Sequence, residues 1–348
     1  MRIFDYSFLS NINIDSSILR TTNTIHSIRA DAENKKKTHG AIFDGLIATA
    51  KVQSVKASNA IEGIVSTDKR ITAIVQQNSE PLSHDEKEIA GYRDALKIVH
   101  ENHDIIHFVE KDILSLHSLL LSYAESPHRG KYKQKDNMII AINEYGEKSV
   151  RFRPLSAYET KQAMEQLVLA YVDASHNVAI SPLLLIPSVI LDFLCIHPFL
   201  DGNGRISRLL SLLLLYQNGY DVGKYISFEA VINNHRDDYY ESLQQSSLDW
   251  NDNKNNYLPF IRNFLETLLV CYQELEKRFV SIANGDTSKE ERVISLVLNS
   301  LLPISKKELS GLLPDISVST IERVLAEMLK EGKISKIGSF KNARYQRK

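Results

Sequence analysis

The chemistry of this chain is concentrated between Ile196 and Leu210, Ile-His-Pro-Phe-Leu-Asp-Gly-Asn-Gly-Arg-Ile-Ser-Arg-Leu-Leu. His197 is the one side chain here whose ordinary pKa lies near neutrality, which suits a general base. Asp201 offers an oxygen ligand of the kind Mg²⁺ takes alongside phosphate oxygens. Gly202 and Gly204 flank Asn203 in a tight loop, Asp201 to Gly204, whose N–H groups can come close to a ligand. The loop opens into a helix N-terminus, where free N–H groups and the dipole favour an anion. Arg205 and Arg208, three apart, share a helix face beside that anion seat. A base, a metal ligand and a polyphosphate seat are written in one short stretch.

Two helices must position it. Leu183 to Ile196 is apolar and should end at His197-Pro198, because the residue before a proline is pushed out of the α region. Arg205 to Asn218 reads as a second helix with Gly219 in the stop position. It is apolar nearly all round, so it should be buried on most sides as the central helix of a bundle.

The stretch resembles the signature of the Fic family, His-x-Phe-x-Asp/Glu-Gly-Asn-Gly-Arg-x-x-Arg. His197, Phe199, Asp201, Gly202, Asn203, Gly204, Arg205 and Arg208 match every defined position. The resemblance implies transfer of AMP from ATP to a hydroxyl side chain of a target protein. On that reading His197 deprotonates the hydroxyl and Asp201 holds Mg²⁺. Gly202, Asn203 and Gly204 cradle the phosphates, Arg205 and Arg208 hold the β- and γ-phosphates, and Ser207 joins the nucleotide contacts. The kept Gly-Asn-Gly-Arg pattern argues against the branch that transfers phosphate instead. The same resemblance leaves removal of AMP open as an alternative; a DNA-binding regulator that merely senses nucleotide is a separate one, which the retained His197 disfavours.

From Ile42 to Glu62 the apolar positions follow helical spacing, and Gly63 is a natural C′ residue that puts Glu62 in the last turn. A carboxylate there meets the negative end of the dipole, at a cost of roughly 0.3–1 kcal/mol, and wants a cation from elsewhere. Ser58-x-x-x-Glu62-Gly63 resembles the inhibitory motif of one Fic class, which implies that Glu62 pairs with Arg208 and blocks productive γ-phosphate binding. A solvated glutamate at a helix end is the plainer alternative.

His84 to Asn102, Phe108 to Ala124 and Tyr158 to Ala174 read as further helices. Between them, Lys131 to Phe152 carries a hairpin signal: Met138-Ile139-Ile140-Ala141-Ile142, a turn at 143–147, then Val150 and Phe152. By the resemblance this is a flap on which Met138, Ile139 and Ile140 dock the target's main chain as an added strand; a hairpin that only covers the core is the other reading. Arg236-Asp237-Asp238-Tyr239-Tyr240 resembles the family's Arg-x-x-Tyr-Tyr stretch, which implies that Tyr240, and after it Tyr239, borders the adenine. Tyr257 to Phe279 closes the bundle.

After the polar linker 283–288, the order helix, helix, helix, hairpin is that of a winged helix-turn-helix, with helices at Glu290–Leu302, from Ser305, and from Ser317 to Lys330. Ser305 to Lys348 holds ten Lys/Arg against five Asp/Glu, and Lys336, Lys341 and Arg344 fall on or near the wing. DNA binding and a protein-docking or dimer-forming role both remain open. The third helix, with two acids and one arginine (Arg323) in its groove-facing half, favours the second.

The expected fold is therefore mainly α: a Fic-type helical bundle with a β-hairpin flap and a small C-terminal winged helix. Its parts are an N-terminal region (1–100, short helices to about Lys37, then the inhibitory helix at about 42–63), a core (101–280, flap 131–152) and the tail (288–348). A net charge of −1 excludes a chain that binds polyanions as a whole, and 43% hydrophobic residues is ordinary for a globular protein. Cys195 and Cys271 sit in apolar helical surroundings, as reduced thiols do. No apolar run is long enough to span a bilayer and the N-terminus lacks a signal-peptide core, so a soluble cytoplasmic protein with no membrane partner is expected. The expected partner is a target protein on the flap, with a homodimer left open.

Overall fold

The chain begins by stitching itself to its own middle. In the computed structural model, Arg2 Nη2 donates to Asp192 Oδ1 at 3.1 Å and the Tyr6 hydroxyl donates to Asp192 Oδ2 at 2.7 Å. Residues 2–142, 148–283, 288–300, 303–338 and 343–348 are described; the expected hairpin turn at 143–147, the linker residues 284–287 and Lys341 lie outside them. The N-terminal region holds one short 3₁₀ turn (Ser7–Ser10) and then a single long helix, α1 (Ser16–Thr38), rather than only short ones. Asp15 caps it by accepting from the N–H groups of Ser17 and Ile18.

Helix α2 (Gly40–Ile61) follows almost at once, then α3 (Asp68–Gln77), α4 (His84–Asn102) and α5 (Glu110–Leu120). The hairpin is β1 (Ile139–Ile142) against β2 (Lys148–Phe152), with a bulge between Ile139 and Ile140. It is shorter than the expected 131–152 because the preceding segment is tied to the body instead. Lys133 N–H donates to the Pro198 carbonyl at 2.8 Å, and Asn137 Nδ2 donates to the Phe199 carbonyl at 3.1 Å.

Helices α6 (Ala157–Ser175), α7 (Pro182–Ile196) and α8 (Asn203–Gln217) come next. Every residue of α7 from Leu183 to Ile196 is buried, and so is every residue of α8 from Arg205 to Tyr216. Sequences with no polar face can be satisfied only at the centre of a bundle. Each fully buried leucine there contributes about 1.5–3 kcal/mol relative to an exposed one. The short α9 (Phe228–Asn234) and α10 (Arg236–Ser247) lead into α11 (Leu258–Ala283), which packs along α1, α7 and α10.

The tail holds α12 (Lys289–Leu298), β3 (Ile304–Ser305), α13 (Lys306–Leu312), α14 (Val318–Lys330), β4 (Ile334–Ile337) and β5 (Arg344–Arg347). The expected two-stranded wing is part of a three-stranded antiparallel sheet in the order β3-β5-β4. A two-residue strand leading straight into a helix leaves no periodicity to read. Serines at 288, 305 and 317 cap the three helices, the first two through full capping boxes. The tail rests on the body: α13 packs on α2, and Arg344 Nε lies 2.9 Å from Asp68 Oδ2 at the start of α3.

Candidate active site

Helix α7 stops where its sequence requires. His197 takes the left-handed conformation, φ 51° and ψ 61°, while its N–H still donates to the Phe193 carbonyl at 3.0 Å. A non-glycine residue held there is strained, which is characteristic of functional positions. Its Nδ1 lies 3.3 Å from the Leu194 carbonyl oxygen. A proton on Nδ1 serves that carbonyl and leaves the Nε2 lone pair free. Burial pushes the imidazole pKa down to about 4, helped by Lys133 and opposed by Glu62 and Asp201. The ring is therefore neutral at pH 7, as a base must be.

The loop is shorter than its sequence suggests. Gly202 is the N-cap of α8 at φ 83°, so Asn203 and Gly204 already belong to the first turn and present free N–H groups. The Asn203 side chain staples the loop: Oδ1 accepts from Phe199 N–H at 2.9 Å and Nδ2 donates to the Phe199 carbonyl at 2.8 Å. Ser207 is buried, donating to the Gly204 carbonyl at 2.8 Å with the Tyr239 phenol beside it.

Arg205 and Arg208 part company. Arg205 pairs with the buried Glu88 of α4 and lies 3.3 Å from Asp201 Oδ2, so in this conformation its guanidinium braces the loop instead of facing an open phosphate seat. A buried carboxylate on α4 demands a cation, and Arg205 supplies it. Arg208 turns to the cleft. Its Nε donates to Ser58 Oγ at 2.8 Å, and its Nη2 donates to the Ser58 carbonyl at 2.9 Å and to Glu62 Oε1 at 2.8 Å.

Glu62 is the C-cap of α2 rather than a residue of its last turn, with Gly63 following at φ 80°. The cap turns the carboxylate away from the helix axis and onto α8. A Cβ added to Gly204 would stand 2.2 Å from Glu62 Oε1. The carboxylate thus lies against the first turn of α8, in the seat where an anion is favoured.

These groups line one cleft, whose walls are His197, Gly204, Arg208 and Glu62 together with Ile139, Phe152, Tyr239, Tyr240 and Leu243. Tyr239 is buried and Tyr240 half-buried, their rings edge to face at 5.4 Å. Burial raises both phenol pKa values, so both stay neutral. Met138 is exposed just before β1, and Ile139 reaches the cleft; the side chain of Ile140 lies outside the described set, although its backbone pairs with Val150.

Among the described residues no three or more His, Cys, Asp or Glu side chains gather as a metal site. Asp201 is one carboxylate, its side chain 67% exposed. That donor set fits Mg²⁺, which enters protein sites through one or two carboxylates plus substrate phosphates.

Three site residues carried no sequence signal. Glu88 is 117 positions from the arginine it holds. Lys133 is buried, its Nζ donating to the Ile196 carbonyl at 3.0 Å, and burial pushes its pKa down to about 8. His117 contacts the loop from α5, its Nε2 3.1 Å from the Asp201 carbonyl oxygen. Each looks in sequence like an ordinary surface or core residue; only an unpaired arginine in the signature hinted that an acid must exist somewhere.

Residues 107–215 match the Fic/DOC family. Among curated proteins, the chain is 29% identical over 232 residues to protein adenylyltransferase Fic of Nematostella vectensis, covering 62% of this chain and 46% of that protein. It is 26% identical over 226 residues to protein adenylyltransferase Fic of Aedes aegypti, covering 61% of this chain and 39% of that one. The chain thus spans less than half the length of these relatives. Among solved structures, a Fic family protein from Desulfovibrio desulfuricans G20 matches with a TM-score of 0.61 at 21% identity over 97% of both chains. Fic-1 (aa134 - 508) from C. elegans matches at 0.60 and 18% identity, over 78% of this chain and 74% of that one. These two likenesses establish a shared fold.

Proposed function

Residues 107–215 of this chain form a Fic/DOC family domain, and on that premise we propose that the protein is an adenylyltransferase held off by its own Glu62. Its substrates are ATP and a protein hydroxyl. The hydroxyl oxygen bonds to the α-phosphorus, the bond to the bridging oxygen of the β-phosphate breaks, and pyrophosphate leaves. His197 Nε2 takes the hydroxyl proton. The N–H groups of Asn203 and Gly204, with Arg208, receive phosphate charge at the start of α8, a preorganised arrangement that favours charge building up in transfer. Mg²⁺ bound with the nucleotide would neutralise phosphate charge, and Asp201 is the residue to hold it. Tyr240 and Tyr239 offer the aromatic wall for adenine. The β1–β2 hairpin, whose Ile139 side chain reaches the cleft, would dock the target's main chain alongside Met138 and Ile140. A reducing, cytoplasmic setting suits the two buried free thiols.

The observation that carries this reading is the shared position of Glu62 and Arg208. An acid from α2 lies in the anion seat of α8 and holds the arginine a γ-phosphate would need. The test is labelling with α-³²P-ATP and Mg²⁺, comparing wild type, Glu62→Gly, and Glu62→Gly with His197→Ala. Label in the Glu62→Gly lane alone is expected. Equal label in wild type and Glu62→Gly would remove the inhibitory role and keep the enzyme. Nucleotide binding without label in any lane would turn the reading to AMP removal or nucleotide sensing.

A further inference from the structure

His117 joins the phosphate loop to the segment that leads to the hairpin. Its ring stacks on Phe199, centroids 3.7 Å apart and planes within 5°. Nδ1 accepts from Gly130 N–H at 3.1 Å. That nitrogen therefore carries a lone pair, and the ring proton belongs to Nε2, which faces the Asp201 carbonyl oxygen at 3.1 Å. Only the neutral ring with its proton on Nε2 satisfies both contacts. Gly202 closes the arrangement, since a Cβ there would stand 3.6 Å from the ring and 3.0 Å from Leu120.

We propose that His117 is a positioning residue for nucleotide binding, fixing the Asp201–Gly202 peptide so that the Asp201 carboxylate and the first N–H groups of α8 converge on one phosphate chain. The inference rests on the adenylyltransferase reading and deepens it. The Asp201 carbonyl belongs to the peptide whose next residue is the left-handed N-cap. If that peptide rotates, the carboxylate and the N–H groups of Asn203 and Gly204 move apart. Arg205 braces the same residue by its side chain, and His117 braces it by its main chain.

Two substitutions separate the hydrogen bond from the packing. In the Glu62→Gly background, His117→Phe keeps the stack on Phe199 and loses both hydrogen bonds. His117→Gln keeps a donor toward the Asp201 carbonyl and loses the stack. Binding of α,β-methylene-ATP with Mg²⁺ is measured by calorimetry, alongside melting temperatures. A lost hydrogen bond should weaken binding by about three- to tenfold in His117→Phe, with His117→Gln nearer the parent. The reverse order, or both variants equal to the parent, overturns the proposal. A parent that binds no analogue overturns the nucleotide reading of the cleft, and the role of His117 with it. Folding of the variants is not a precondition: ¹⁵N shifts of His117 in the wild-type protein should report the Nε2–H tautomer, and the Nδ1–H tautomer would overturn the proposal by itself.

Discussion

Glu62 and Arg208 are paired at 2.8 Å across the cleft, and Ser58 holds the arginine in that position. Ser58 gives Arg208 both its hydroxyl and its carbonyl, so Ser58→Ala removes one of the bonds that turn the guanidinium toward Glu62. The expected outcome is partial release: more self-labelling than wild type and less than Glu62→Gly. In the released protein, His197→Ala should cut transfer by about 10²–10⁴-fold, the range of a general base. The pH profile of Glu62→Gly carries a further expectation. Burial is the main cause that holds His197 near 4 instead of 6.5. The free base therefore persists as pH falls through 6, and removing Glu62 takes away one of the charges that favour the protonated ring. The acid limb of transfer should lie closer to pH 4 than to pH 6.5; a limb at 6.5 or above would contradict the assigned environment of the ring.

Elements are held in place by charge as well as by apolar contact. Asp192, fully buried on α7, accepts from Arg2, Tyr6, Trp250 Nε1 at 2.6 Å and Tyr257 at 3.0 Å. One carboxylate ties the N-terminal segment, α7 and the approach to α11 together, five positions before His197. Asp192→Ala leaves Arg2 buried without its partner, a change that typically costs about 3–5 kcal/mol. Urea denaturation should show a loss of that size. The hairpin is positioned from its base: Lys133 and Asn137 bond to carbonyls on either side of Pro198, so β1 inherits its place from the end of α7. The element a target would meet and the element that carries the base share one anchor.

At the scale of the whole molecule, buried neutral histidines make stability depend on acid. His100, His117 and His197 are held by burial at about 3, 4 and 4. Below about 6.5 the unfolded chain protonates these rings while the folded one does not, so the unfolded state binds more protons and stability falls as pH drops. The melting temperature should hold above pH 7 and decline steadily from about 6.5 towards 4. The tail pairs two of its arginines with acids. Arg344 is engaged by Asp68 and Glu308, and Arg323 by Glu290 and Glu327. Both arginines already hold acids instead of facing a phosphate, so the full chain should bind duplex DNA weakly and with a shallow salt dependence. Tight binding with a steep salt slope in a filter or anisotropy assay would reverse that expectation. The tail's contact with α2 and α3 instead couples it to the helix that bears Glu62.

Much of the site was legible because its chemistry is local. Helix α7, the stop at His197-Pro198, the glycines of the loop and the apolar α8 all follow from neighbouring residues, since backbone restriction and helical periodicity act over a few positions. The motif around Glu62 and Gly63 was legible for the same reason, through the need of a helix to end. What the sequence could not contain is which distant group satisfies a local demand. That Arg205 goes to Glu88, that Lys133 caps α7, and that His117 reaches Asp201 depend on how helices cross; the Glu62–Arg208 pair was legible only through the resemblance of its motif. A buried charge or ring nitrogen takes whichever partner packing brings within hydrogen-bond reach. Tertiary structure alone decides that, because sequence separation places no limit on it.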